Sequence, residues 1–183
     1  MSRLPPLPES DLTDAQRRAA DAIVSGPRGG LRGPFPAMLR SPELAERAGR
    51  LGEFLRFGTS LPPRLSEMAI LMTARAWTAQ YEWYAHAPLA RKGGLSESVI
   101  EAVRAGRRPE AMQPDEAALY DFCAELHRSH GVSDPVYARA AEAFGETGVV
   151  EIIGLCGYYV LVAMTLNVAQ VPLPEGVAPP LAD

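Results

Sequence analysis

The sequence predicts an all-α protein, a single-domain helical bundle of about seven or eight helices. Apolar residues recur at helical spacing in several segments, residues that favour helix N-termini precede these segments, and no run alternates polar and apolar residues between hairpin turns. The length of 183 residues, with 47% hydrophobic and 22% charged, suits one globular domain over residues 1–183. We expect a core over about 33–168, an N-terminal arm over 1–12 and a Pro-rich tail over 169–183.

The N-terminal arm contains LPPLP, whose prolines favour extended chain. Thr13 and Gln16 then form a capping-box pattern that predicts a first helix over about 14–25. The segment SGPRGGLRGPFP is punctuated by Gly and Pro and predicts a loop. Its Arg28 and Arg32 could bind an anion, but no phosphate-binding glycine spacing is present, so a plain loop is the favoured interpretation.

The middle of the chain predicts three helices. Ser41 and Pro42 occupy N-cap and N1 positions ahead of the amphipathic PELAERAGRLGEFLRF. The following stretch is too long for one ordinary helix and is expected to form two, over about 63–76 and 79–92. Thr78 is the predicted cap of the second helix, and a pair of glycines is its predicted end.

The C-terminal half predicts the remaining helices. Ser96 caps a short helix, and the next helix has Pro114 near its start and Gly131 past its end. Ser133 caps DPVYARAAEAFG, which leads into an apolar helix over 148–168. That helix approaches the length of a membrane span, but it contains a glutamate and lacks flanking basic residues. We therefore expect it to be buried in the core or between subunits.

Composition excludes some function classes. The formal net charge of −4 and the absence of a basic stripe argue against nucleic-acid binding. The N-terminus resembles neither a signal peptide nor a transit peptide, so cytoplasmic localisation is the expectation. Cys123 and Cys156 lie 33 positions apart and make no CxxC or zinc spacing, so we expect two reduced, buried thiols.

The stretch WTAQYEWYAH concentrates chemistry-bearing residues in a chain that is only 7% aromatic. Glu82 and His86 are four positions apart, so their side chains can meet on one helix face. Glu67 can return to the same pocket if the two predicted helices form a hairpin. A carboxylate beside an imidazole is a common acid–base element, and Tyr81 and Trp83 would provide an apolar wall that excludes water.

Other interpretations of these residues stay open. An i, i+4 Glu/His pair is often a solvated surface contact, and aromatic residues at helical spacing often belong to the core. Glu67, Glu82 and His86 could ligate a metal, but a second Glu-x-x-His motif is missing, and no metal is predicted. The histidines of AELHRSHG lie near the end of a predicted helix, where a cation complements the helix dipole.

Three segments resemble the carboxymuconolactone decarboxylase family, which includes the alkyl hydroperoxidase D proteins. They are the Pro-Glu-Leu that follows Ser41, the segment LPPRLSEMAIL with Glu67, and YEWYAHAPLARKGGL with Glu82 and His86. The similarity is strong over about 33–106 and weaker towards the C-terminus. The resemblance implies an all-helical fold of the alkyl hydroperoxidase D type that assembles as trimers or hexamers.

The resemblance also implies a branch of the family. In the hydroperoxidase branch a Glu, a CxxC pair and a His relay protons to a thiolate; here Ala79 and Glu82 stand at the two cysteine positions, and neither can replace a thiolate. The chain is therefore similar to the decarboxylase-like branch, which removes CO₂ from a lactone acid without a cofactor. This comparison assigns proton delivery to His86, its orientation to Glu82, and completion of the relay to Glu67.

Two arginines are candidates for the substrate carboxylate, Arg64 and Arg75, because a guanidinium offers paired donors; a surface ion pair explains each equally well. Three other functions remain possible interpretations of the sequence. The scaffold could support another acid–base reaction, such as hydrolysis, isomerisation or dehydration, or the chain could be a thiol-dependent peroxidase that uses Cys123 or Cys156. It could also be a helical oligomer that binds a small apolar acid without turning it over.

Overall fold

A computed structural model describes residues 2–27 and 29–182, and within them the fold is all-α, as predicted. One 3₁₀ turn, Glu9–Asp11, precedes eight helices, and the described residues contain no strand. The helices are α1 (Asp14–Val24), α2 (Phe35–Met38), α3 (Pro42–Phe57), α4 (Pro63–Ala76), α5 (Gln80–Lys92), α6 (Glu97–Arg104), α7 (Pro114–Ser129) and α8 (Asp134–Ala169).

Most predicted helix starts are confirmed, with one clear error. Thr13 forms the capping box with Gln16, and the Ser96 side chain accepts a hydrogen bond from the amide of Val99. Thr78, however, does not cap α5: Ala79 occupies the N-cap position. Thr78 has a φ of 46°, in the left-handed region, because the chain reverses there between α4 and α5, whereas an N-cap residue needs an extended backbone.

Two short elements were not predicted from the sequence, the 3₁₀ turn Glu9–Asp11 and helix α2. Helix α2 has only four residues, too few to show a helical period. It nevertheless buries Phe35, Ala37 and Met38 in the core. The predicted loop before α3 is therefore partly a core element.

Helix α4 lies at the centre of the fold. Every residue from Leu65 to Ala74 is buried, and the helix packs against α5, α6, α7 and α8. Its nearly continuous apolar sequence accounts for burial on all sides. Helix α5 runs back along α4, which forms the hairpin expected from the sequence.

Helix α8 extends over 36 residues and breaks at Gly145, where φ is 66° and ψ is 173°. The two helices predicted for this region thus meet at one non-helical residue. By length and composition alone α8 could cross a membrane, which is weak evidence because core helices meet the same criteria. Half of its most apolar window is buried within the fold.

The tail lies over the chain's own helices. The Gln80 side chain donates a hydrogen bond to the carbonyl of Leu181 and accepts one from its amide. Leu181 is buried, and Arg104 donates to the carbonyl of Pro180. These contacts hold the tail against the start of α5 and against α6.

Gly145 has a backbone conformation that is almost restricted to glycine. We expect Gly145→Ala to lower the free energy of unfolding by about 1–3 kcal/mol through backbone strain, measured by urea denaturation. Gly131→Ala is the matched control, because a Cβ there meets open space and its φ is not positive. The control should change the free energy of unfolding by less than about 1 kcal/mol. Equal effects of the two substitutions would contradict the strain argument.

Candidate acid–base site

A cavity of about 530 Å³ lies beside the hairpin of α4 and α5. Its walls are α5 and the C-terminal half of α8, and it is also lined by the loop before α2, the end of α3 and Pro174 of the tail. Its volume falls within the range of small-molecule sites, and most of its wall is apolar. The polar side chains that reach it are therefore candidates for chemistry.

The central polar contact joins α4 to α5. His86 Nδ1 lies 2.6 Å from Glu67 Oε2, and both side chains are about nine-tenths buried. His86 also lines the cavity. Because Nδ1 is engaged with Glu67, Nε2 is the ring nitrogen left to interact with a ligand.

The carboxylate that contacts His86 differs from the one expected. Spacing on α5 suggested Glu82 as the partner, but the structure pairs His86 with Glu67. Neither oxygen of Glu82 has a hydrogen-bond partner. Residues four apart share a helix face, yet the hairpin brings the carboxylate of α4 closer to the ring.

Glu82 is an isolated acid in the cavity wall. It is 1% exposed, and burial raises the pKa of its carboxyl well above the usual value. The protonated, neutral form is therefore favoured well into the pH range in which an exposed glutamate is ionised. A neutral carboxyl can donate a hydrogen bond into the cavity, which a carboxylate cannot.

Two tyrosines of α8 complete this part of the site. The ring of Tyr159 packs edge-on against His86 with centroids 5.1 Å apart, and Tyr158 packs edge-on against Tyr159. Burial raises the pKa of Tyr159 well above its usual value, so it remains a neutral phenol. These tyrosines were not predicted as site residues, because they lie inside a long apolar run, which is a pattern that indicates core.

The aromatic residues of WTAQYEWYAH divide between cavity and core. Tyr81 and Tyr84 line the cavity and pack edge-on against each other. Trp83 is 3% exposed, belongs to the hydrophobic core and does not line the cavity. Its predicted role in the substrate pocket is therefore not supported by its position.

The arginines expected to bind substrate lie elsewhere. Arg64 forms ion pairs with Asp115 and Glu116 of α7. Arg75 donates to the carbonyl of Ala182 and borders a different cavity. Both were predicted because a guanidinium offers paired donors to a carboxylate, but neither lines the cavity beside His86.

The basic residues that do line the cavity are Arg32 and Arg56. Arg32 comes from the glycine-rich loop for which anion binding was one interpretation of the sequence. The other arginine of that loop, Arg28, lies outside the described residues. Arg56, from the last turn of α3, was not predicted. These guanidinium groups give the cavity two positive groups that suit an anionic ligand.

The described residues contain no group of three or more His, Cys, Asp or Glu side chains arranged to hold a metal ion. The cavity instead combines an imidazole oriented by a carboxylate, a buried carboxyl whose pKa is raised, and two guanidinium groups. This set can bind a small anion and transfer a proton to or from it.

Comparison with known proteins identifies one family. Residues 42–125 match the model of the carboxymuconolactone decarboxylase family. This segment contains Glu67, Glu82 and His86, whereas Arg32 and the two tyrosines of α8 lie outside it. No curated protein matches the chain significantly.

The raised pKa of Glu82 predicts a pH-dependent stability. Above the ordinary value of 4.5 the unfolded chain loses this proton while the folded protein keeps it, so the free energy of unfolding falls with rising pH until the folded-state pKa is passed. Glu82→Gln removes the ionisation. The variant should gain stability relative to the wild type as the pH rises above about 4.5, by up to about 1.4 kcal/mol per pH unit, until the folded-state pKa of Glu82 is passed.

Urea denaturation of both proteins across this pH range measures the difference. Glutamine is the matched replacement, because it keeps the size of the side chain and has no charge. Parallel stability curves for the two proteins would show that Glu82 is ionised in the folded state.

Proposed function

Through residues 42–125 the chain belongs to the carboxymuconolactone decarboxylase family, and we propose that it is a lyase that removes CO₂ from a small cyclic lactone acid without a cofactor. The observation that carries the proposal is the buried His86–Glu67 pair, whose imidazole lines the same cavity as Glu82, a buried carboxyl with a raised pKa. The arrangement provides a group that can deliver a proton and a second group that can donate a hydrogen bond to a developing oxyanion.

The proposed reaction breaks the carbon–carbon bond to the substrate carboxylate. The electron pair of that bond passes into the conjugated carbonyl system, which gives a dienolate and CO₂. A proton is then added to carbon, so each turnover consumes one proton. The substrate's own conjugation accepts the electrons, which is why no cofactor is required.

His86 delivers this proton in the proposed mechanism. Glu67 holds Nδ1 and fixes the orientation of the ring, so that Nε2 is the nitrogen that carries the transferable proton. Tyr159 packs against the ring and limits its rotation. His86 is then reprotonated from solvent before the next turnover.

Glu82 has a different role from the one expected by spacing. As a neutral carboxyl it donates a hydrogen bond to the oxygen on which negative charge develops, and its burial strengthens that interaction. Arg32 and Arg56 provide the positive charge for an anionic group of the substrate. Arg32 and Arg56 thus take the role in substrate binding that the sequence predicted for Arg64 and Arg75.

Thiol peroxidase chemistry is disfavoured at this cavity. The two positions of the family's CxxC pair hold Ala79 and Glu82, and both residues are buried in α5 or at its start. Peroxide reduction at this place would need a thiolate beside His86.

We also propose that the chain forms a homo-oligomer. The outer side of α8 carries an uninterrupted apolar stripe at three-to-four spacing, made of Val150, Ile153, Gly157, Leu161, Met164 and Val168. Helix α3, which packs against α8, adds the exposed side chains of Phe54 and Phe57. A second copy of the chain is a suitable cover for such a patch, because large exposed apolar patches commonly mark association surfaces.

The catalytic proposal is tested by His86→Gln, since glutamine can still donate a hydrogen bond to Glu67. We expect the rate of γ-carboxymuconolactone decarboxylation to fall by about 10²- to 10⁴-fold, because the transferable proton is lost. His130→Asn is the control: this exposed histidine has a φ of 60°, which asparagine tolerates. The control should retain wild-type turnover, and circular dichroism should show that both variants are folded.

Turnover by His86→Gln at the wild-type rate would refute the role of His86. Absence of turnover by the wild type would exclude this lactone as the substrate, and the same variants would then be assayed with other lactones and cyclic acids.

The oligomer proposal is tested by Ile153→Glu, which places a charge in the middle of the apolar stripe. We expect this variant to have a lower molar mass in solution than the wild type, measured by light scattering during size exclusion. Tyr137→Glu is the control, because Tyr137 is exposed to a similar extent on α8 but lies before the break at Gly145. A wild-type monomer, or equal mass in all three proteins, would contradict the proposal.

A further inference from the structure

The two cysteines lie side by side although they are 33 positions apart in sequence. Cys123 Sγ on α7 is 3.7 Å from Cys156 Sγ on α8, and both thiols are free and buried. Burial as reduced thiols was predicted, but their proximity was not. A disulfide requires the sulfur atoms to approach by a further ~1.7 Å, to about 2.05 Å, a movement within the range of side-chain rotation.

A histidine lies beside this pair. His127 Nε2 is 3.0 Å from Thr73 Oγ1, and the Thr73 hydroxyl donates its single hydrogen to the carbonyl of Ala69. The contact with Thr73 thus holds the His127 ring next to Cys156.

The two thiols have different chemical characters. The pKa of Cys156 is lowered because Cys123 donates a hydrogen bond to it, with further contributions from His127 and Thr73. The pKa of Cys123 is raised well above its usual value by the same hydrogen bond and by burial. Cys156 is therefore the more nucleophilic thiol of the pair, and Cys123 is the thiol that would attack the oxidised sulfur of Cys156.

A second cavity lies beside the histidine that neighbours the pair. It has a volume of about 260 Å³ and is lined by His127 and by Ala124, the neighbour of Cys123 in α7. It shares no lining residue with the acid–base cavity. His127 thus contacts both this cavity and Cys156.

We propose that Cys123 and Cys156 form a redox-active dithiol, which a hydroperoxide oxidises to an intrachain disulfide between α7 and α8. The Cys156 thiolate attacks the terminal oxygen of the peroxide, which breaks the O–O bond, forms a sulfenic acid and releases hydroxide or alkoxide. The Cys123 thiol then attacks the sulfenic sulfur, and water leaves as the S–S bond forms. Two thiols lose two electrons and two protons, and the peroxide becomes water and an alcohol, or two waters.

This proposal does not rest on the proposed lyase activity. The pair lies outside the CxxC positions of the family motif and uses none of the residues of the acid–base cavity. Its oxidation would nevertheless tie α7 to the turn of α8 that precedes Tyr158 and Tyr159.

The reduced full-length protein is treated with hydrogen peroxide in slight excess, then unfolded and alkylated. We expect both alkylatable thiols to be lost, a mass decrease of two hydrogen atoms, a linked Cys123–Cys156 peptide and full recovery with dithiothreitol. Retention of both thiols, or oxidation that proceeds only after unfolding in urea, would overturn the proposal. Disulfide-linked dimers in place of the intrachain link would also overturn it.

Variants assign the order of the two steps. Cys123→Ser should stop at the sulfenic acid of Cys156, which dimedone captures, whereas in Cys156→Ser the remaining thiol should react at least about tenfold more slowly. His127→Gln should slow disulfide formation about tenfold, because it removes the ring that favours the Cys156 thiolate. Equal rates in the wild type and His127→Gln would show that the histidine only fills space.

Discussion

The burial of α4 on all sides is the constraint on which the rest of the structure depends. A helix without a solvent-facing side must satisfy its polar side chains inside the protein, because an unpaired buried polar group is costly. Glu67 and Thr73 meet this requirement through two histidines from other helices, His86 and His127. Glu67 and Thr73 are six positions apart, a separation that corresponds to ~9 Å along the helix axis and about 240° around it. The two histidines therefore approach α4 from different sides. Both candidate reactive sites therefore follow from the way in which one central helix is buried in the fold.

Two glutamates near the same histidine have opposite environments. Glu67 is hydrogen-bonded to an imidazole, while Glu82, one helix turn from His86, has no hydrogen-bond partner, and burial raises the pKa of its carboxyl. Enzymes often separate the roles of two carboxyls in this way, because proton transfer and hydrogen-bond donation need different ionisation states. Sequence spacing cannot make this distinction, since it records which residues share a helix face and not which residue of another helix is closer.

The sequence predicts the secondary structure better than the composition of the site. Caps and prolines mark helix starts because their effect is local, and Thr13 and Ser96 behave as expected. Thr78 does not, because the tight reversal between α4 and α5 overrides its capping preference. The Glu67 and His86 positions follow from the motif and the hairpin, but the Arg32 and Arg56 contributions depend on packing between distant segments, and so does the contact between Cys123 and Cys156. Such contacts leave no signal in a single sequence.

Helix α8 has two faces with different neighbours. Tyr159, Val162 and Leu166 face the acid–base cavity, while Ile153 and Met164 lie on the outer stripe. A partner on the outer stripe would therefore be separated from a ligand in the cavity by one helix, a thickness of ~10 Å. Under this arrangement binding and association are thermodynamically linked: a ligand that restrains α8 strengthens assembly by the same factor by which assembly strengthens ligand binding. The affinity measured for a ligand would then depend on the concentration of the protein itself.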